Sequence, residues 1–214
     1  MCPREGLLRG GFFSPFRCVK KETGEKVCQC YLADPSLHDL LEHVDSDLAR
    51  EVHRQGCVHC GARLHRADYP RKPRGGSASW DWRDSFCCAK EGCRKRHTPP
   101  SVRFLGRRVY VGLIVVLVAA LRHGLTPERM QVLRESLGID RRTMERWRQW
   151  WLENFVQSSF WKEARARFMP PVCEKSLPWL LCEVFDIERR DRLLDLLKFL
   201  SPLTTQLPFQ MRDF

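Results

Sequence analysis

Two pairs of thiols on short loops mark this chain: Cys57 and Cys60 in Cys57-Val58-His59-Cys60-Gly61, then Cys88 and Cys93 in Cys88-Ala89-Lys90-Glu91-Gly92-Cys93. Such pairs are the donor set of a structural Zn²⁺ site, in which four thiolates close a tetrahedron and leave no position for water. The spacing predicts metal-held architecture, with zinc as the cofactor, rather than hydrolysis at the metal. Two residues between Cys57 and Cys60, with Gly61 following, match a metal-binding knuckle. The second pair is wider, and Cys87 stands beside Cys88 as a competing donor. If Phe86 to Cys88 is a strand, alternation sets Phe86 and Cys88 on one side and Cys87 on the other, which favours Cys88. His59, His65 and His97 read as solvated loop residues.

The remaining cysteines bound the setting. Eleven is an odd number, so a fully paired disulfide framework within one chain is excluded. The first residues lack the charged start and apolar core of a secretory signal, and the expected location is a reducing, nucleoid-associated cytoplasm. Cys18 and Cys28 flank a Thr-Gly turn that reads as a hairpin, and with Cys30 they are candidates for a second metal site. Cys173 and Cys182 have no partner pattern and read as structural.

The chain has 214 residues and a formal net charge of +11, with a pI near 9.4. A field of that sign favours polyanionic partners before any specific contact forms. From Gly61 to Arg108 there are thirteen basic residues against four acidic ones, so the cysteine-bearing segment carries most of the excess. Arg71, Lys72 and Arg74 lie in a proline- and glycine-rich loop, and Arg94, Lys95 and Arg96 adjoin the second thiol pair. These six are candidate phosphate contacts. A membrane partner is not expected. The longest apolar run, Val109 to Leu121, is shorter than the ~20 residues a span needs and reads as a buried helix.

Several elements must position these groups. Asp34 is a cap for an amphipathic helix from Pro35 to Gln55, with Leu37, Leu40, Leu41, Val44, Leu48 and Val52 at helical spacing. Thr126 and Pro127 start a helix patterned by Met130, Leu133 and Leu137, and Gly138 ends it. Ile139 plugs the turn, Asp140 caps the next helix, and Met144, Trp147, Trp151 and Phe155 mark its apolar face. The unit reads as a helix-turn-helix. Opposite that face stand Arg142, Glu145, Arg146 and Gln149, while Arg141 and Thr143 sit near the helix start. An α-helix so furnished suits the major groove, arginine reading guanine and glutamine adenine. Trp147, Trp150 and Trp151 read as core and rim. The expected fold class is mainly α with a small β zinc ribbon and a helix-turn-helix helical bundle. Its parts are an N-terminal arm (1–33), an amphipathic helix (34–55), the ribbon (56–105), the helix-turn-helix bundle (106–156) and a helical tail (157–214).

The two thiol pairs, the stretch Thr98-Pro99-Pro100-Ser101 and the helix-turn-helix from Leu125 to Trp151 together resemble the N-terminal DNA-binding region of bacterial insertion-sequence transposases. The resemblance covers roughly residues 55 to 155. It implies a zinc ribbon ahead of a helix-turn-helix, the pair binding the double-stranded DNA at element ends. Such transposases continue into a ribonuclease-H-like domain with three metal-holding carboxylates. The stretch after Phe155 is too short for that domain and reads as helices. Asp186, Glu188, Asp191 and Asp195 are interleaved with Arg189, Arg190 and Arg192, the pattern of a solvated, ion-paired face. Leu193, Leu194, Leu196, Leu197 and Leu200 would pack on the bundle or on a second copy, making the tail a candidate homodimer contact. The expectation is therefore a non-enzymatic, zinc-dependent binder of double-stranded DNA. The alternatives are a compact transposase or nuclease using the tail carboxylates, and a protein-interaction adaptor.

Overall fold

Asp34 sits in an extended conformation and its carboxylate accepts from the backbone N–H groups of Ser36 and Leu37, so the helix that follows starts at Pro35. In the computed structural model this helix, α1, runs Pro35–Gln55. The structure describes residues 34–71, 82–104, 139–187 and 189–205, together with Pro127, Met130, Gln131, Arg134 and Glu135. The expected hairpin with Cys18, Cys28 and Cys30, the loop residues Lys72 and Arg74, the apolar run over 109–121, Gly138, Glu188 and much of the first helix of the expected helix-turn-helix lie outside them. Pro127, Met130, Gln131, Arg134 and Glu135 are helical.

The buried face of α1 is Leu37, His38, Leu41, Asp45, Ala49 and Val52, whereas Leu40 is exposed. The face is thus rotated from the leucine stripe of the sequence and includes a carboxylate. Its rotation follows from α1 serving two cores. Leu37 and Leu41 belong to a large helical core, and Ala49 and Val52 to a small one with Cys57, Leu64, Phe86 and Cys88.

Gly56 ends α1 at φ 76°, the left-handed region that favours glycine, and a Cβ there would meet the Ala62 carbonyl at 3.1 Å. The chain then enters short strands: β1 (Leu64–Arg66), β2 (Tyr69–Pro70), β3 (Trp82–Arg83), β4 (Phe86–Cys88) and β5 (Arg96–His97). The antiparallel order β1-β4-β5 makes one sheet and β2-β3 the other, with Leu64 opposite Cys88 and Phe86 opposite His97.

The segment leaving the ribbon crosses α1 at Asp45. That carboxylate accepts from the Ser101 hydroxyl (2.6 Å), the Val102 N–H (2.7 Å) and Arg103 Nε (2.8 Å). The Asp45 and Arg103 side chains are 0% and 5% exposed, so this is a buried, hydrogen-bonded ion pair. Arg83 is buried as well, donating to the Pro99 carbonyl. Burial lowers its guanidinium from the ordinary value, against the attraction of Asp45. Arg83 and Arg103 count toward the cationic excess of the sequence, but the structure uses both inside the fold.

Asp140 caps α2 (Arg141–Gln149), its carboxylate accepting the Thr143 N–H at 2.6 Å. α2 runs on as a π-helical turn, Trp150–Phe155, an irregularity the 3.6-residue period does not announce. Trp150, Trp151 and Phe155 stack around that turn with centroids 4.7 to 5.7 Å apart. Ile139 is fully buried, as expected of a plug. α3 (Ser159–Ala164), α4 (Trp179–Val184) and α5 (Arg190–Leu200) complete the helical core. Leu193, Leu196, Leu197 and Leu200 are buried in the chain's own core. The described structure is mostly helical with small antiparallel sheets.

Candidate metal centre

The first knuckle is a tight turn built by its own backbone. The N–H groups of Cys60 and Gly61 bond to the Cys57 carbonyl at 3.3 and 2.7 Å, the Cys57 N–H bonds to the Ala62 carbonyl, and Gly61 takes φ 69°. The second knuckle repeats the device: Cys93 and Arg94 donate to the Lys90 carbonyl at 3.1 and 3.3 Å, and the Lys90 N–H points at Cys88 Sγ at 3.4 Å. β4 feeds Cys88 into this turn, with Phe86 and Cys88 buried on one side. Cys87 faces away, its Sγ 3.4 Å from the Arg94 carbonyl. Alternation along the strand thus decides between the adjacent thiols.

The four sulfurs of Cys57, Cys60, Cys88 and Cys93 lie within 4.8 Å of one another, and among the described residues this is the group of side chains able to hold a metal ion. Cys57 Sγ is 3.8 Å from Cys93 Sγ, and Cys60 Sγ is 3.5 Å from Cys88 Sγ. Each knuckle supplies two donors, one buried (Cys57, Cys88) and one nearer solvent (Cys60, Cys93). Burial opposes ionisation of Cys57, but donors from the His59 and Cys60 backbone, the Cys60 side chain and His97 outweigh it and bring the thiol down to about 6. Burial pushes Cys88 up to about 12, and the neighbouring thiols Cys60, Cys93 and Cys57 add to it. A cation bound by all four displaces the remaining protons.

His97 departs from the expectation of a solvated loop residue. It is not solvated: it is fully buried, with Nε2 3.3 Å from Cys57 Sγ and its ring 5.7 Å from that of His59. Its position on the Phe86 side of a strand pair was the only signal, visible once β4 and β5 are registered. His65 is exposed. Asp45, Ser101 and Arg103 were missed altogether, because nothing local joins residues 56 to 58 positions apart.

The basic candidates fall into two groups. Arg94, Lys95 and Arg96 are exposed and bracketed by Cys93 and His97, so the cluster anchors both ends of this cationic stretch. None of the three forms an ion pair among the described residues. Arg96 lies 5.4 Å from the Tyr69 ring centre and donates to the Ala67 carbonyl and the Ser85 hydroxyl. Arg71 lies 5.0 Å from the same ring and donates to the Tyr69 hydroxyl. On α2, Arg142 and Arg146 are exposed, Arg141 pairs with Glu145 at 3.0 Å and Gln149 bonds Glu153. Thr143 departs from its expected role. It is 3% exposed, and its hydroxyl accepts from Arg146, so it faces the core and cannot reach a groove.

Among the described residues the tail carboxylates form no group able to hold a metal ion. Asp186, Asp191 and Asp195 are exposed, Asp191 pairing with Arg189 at 3.0 Å and Asp195 with Arg192 at 3.5 Å. Among the described residues no helix is long and apolar enough to cross a membrane. Compared with known protein families, curated proteins and solved structures, the chain matches none.

Proposed function

We propose that this chain is a zinc-stabilised protein that binds double-stranded DNA, related in design to the DNA-binding regions of insertion-sequence transposases. A tetrahedral site with Zn–S bonds of about 2.3 Å spaces its sulfurs about 3.8 Å apart, and the 3.8 and 3.5 Å separations of paired sulfurs fit that demand. Tetrahedral all-sulfur sites take zinc or iron; elemental analysis of purified protein separates them. When bound, the metal supplies architecture, since four thiolates leave no open position for a reacting water.

The observation that carries the DNA reading is the run Arg94-Lys95-Arg96, exposed, without ion pairs among the described residues, and tethered at each end to the sulfur cluster. Pre-positioned cations of this kind hold phosphates and supply salt-dependent affinity. Arg71, with Lys72 and Arg74 beyond it in sequence, would extend the contact. Arg142, Arg146 and Gln149 on α2 are the groups proposed to read base edges, with Arg141 beside them. Thr143 has no part in it.

The test is a duplex titration over a salt series. Replacing Arg94, Lys95 and Arg96 together by alanine should weaken binding to all duplexes and flatten the salt slope by about 0.9 for every phosphate no longer neutralised. Arg142→Ala with Arg146→Ala should instead blur discrimination between sequences. Equal binding by the triple variant would reject the ribbon's role.

A further inference from the structure

We infer that His97 is a positioning residue of the metal centre, donating its Nε2–H to the Cys57 thiolate and so fixing how firmly the site keeps its metal. The inference rests on the four-cysteine metal reading. A divalent cation held by four thiolates leaves a surplus of negative charge, which has to be met by hydrogen bonds or solvent. Cys60 is exposed and Cys93 half-buried, so water meets the charge at that end. Cys57 and Cys88 are buried and out of its reach. Cys88 receives the Lys90 N–H at 3.4 Å. Cys57 receives the His59 and Cys60 backbone N–H groups and, beyond them, a side chain: His97 Nε2 at 3.3 Å, fully buried and brought across from the far end of the sheet by β5. A metal-bound thiolate carries no proton, so the hydrogen between these two atoms belongs to the imidazole. His97 does for the buried sulfur what water does for the exposed ones. Its Nδ1 has no partner among the described residues, which fits a neutral ring protonated at Nε2.

The tautomer is read in the native protein, a variant serving only to assign the ring. In ¹⁵N-histidine spectra of the zinc-loaded chain, one ring assigned by its loss in His97→Gln should report a neutral Nε2–H imidazole. An Nδ1–H tautomer there would overturn the assignment. The second arm compares zinc transfer to a chromophoric chelator. His97→Phe fills the space without a donor and should release zinc about ten- to a hundredfold faster than the native chain. His97→Gln, whose amide can donate from a similar place, should restore much of the difference. In the cobalt-substituted proteins the sulfur-to-metal charge-transfer band should shift in the Phe variant and return in the Gln variant. A folded Phe variant with native release and a native cobalt spectrum would refute the role of His97. A native chain that takes up no metal would instead defeat the underlying metal reading, so the two failures are distinct.

Discussion

Among single residues, position along a strand separates Cys88 from Cys87, two chemically identical neighbours. Cys88 is buried within the sulfur cluster, while Cys87 points toward the Arg94 carbonyl. Cys87→Ser should therefore retain one metal per chain, and Cys88→Ser should lose it; metal content after dialysis decides. Asp45 is the other residue on which much depends. Asp45→Ala leaves Arg103 buried without its strongest partner, and removal of one member of a buried pair costs about 3–5 kcal/mol. Urea unfolding should show a loss of that size, and Asp45→Leu combined with Arg103→Met should recover most of it. Equal stability of Asp45→Ala and the native chain would mean the pair is inert. The two residues were not equally visible in advance. Period-two alternation points to Cys88, whereas Asp45 looks like an ordinary polar position of an amphipathic helix until Arg103, 58 residues away in sequence, is set against it.

Among the elements, the helix starts were the most legible part. Asp34 and Asp140 each precede a periodic run, and each accepts backbone N–H groups as a cap should. Asp34→Ala should cost about 1 kcal/mol, the usual worth of such a cap. Its carboxyl lies below the ordinary 3.8, chiefly through the Ser36 hydroxyl and despite some burial, with help from backbone N–H groups and Arg190. A folded value below the unfolded one means the ionised cap stabilises fully above the ordinary carboxylate range and stops doing so as pH falls through the folded value. The gap in thermal midpoint between native and Asp34→Ala protein should accordingly be constant near neutrality and shrink below about pH 4. A gap that widened on acidification would contradict the assignment. What stayed hidden were features set by packing rather than period. The π turn at Trp150–Phe155 accommodates three clustered rings, and the true buried face of α1 follows from its two cores.

Across the molecule, α1 joins the ribbon to the helical bundle, because its first half lies in one core and its second half in the other. Metal loss should therefore travel along it. Hydrogen exchange after chelation should show loss of protection in β1, β4, β5 and around Ala49 and Val52, while the core around Trp151, Trp161 and Leu196 keeps its own. Undiminished protection in the ribbon would mean the small core stands without metal, contrary to its size. The same coupling is why the cationic run between Cys93 and His97 is a built surface and not a loose tail. If the metal presents this surface to DNA, binding of one labelled duplex should differ between metal-loaded and chelator-stripped protein across a salt series. For the loaded protein log K should fall linearly with log salt, and stripping the metal should weaken binding at every salt concentration. Loaded protein that ignores duplex DNA at low salt, or binding identical with and without the metal, would contradict the proposal.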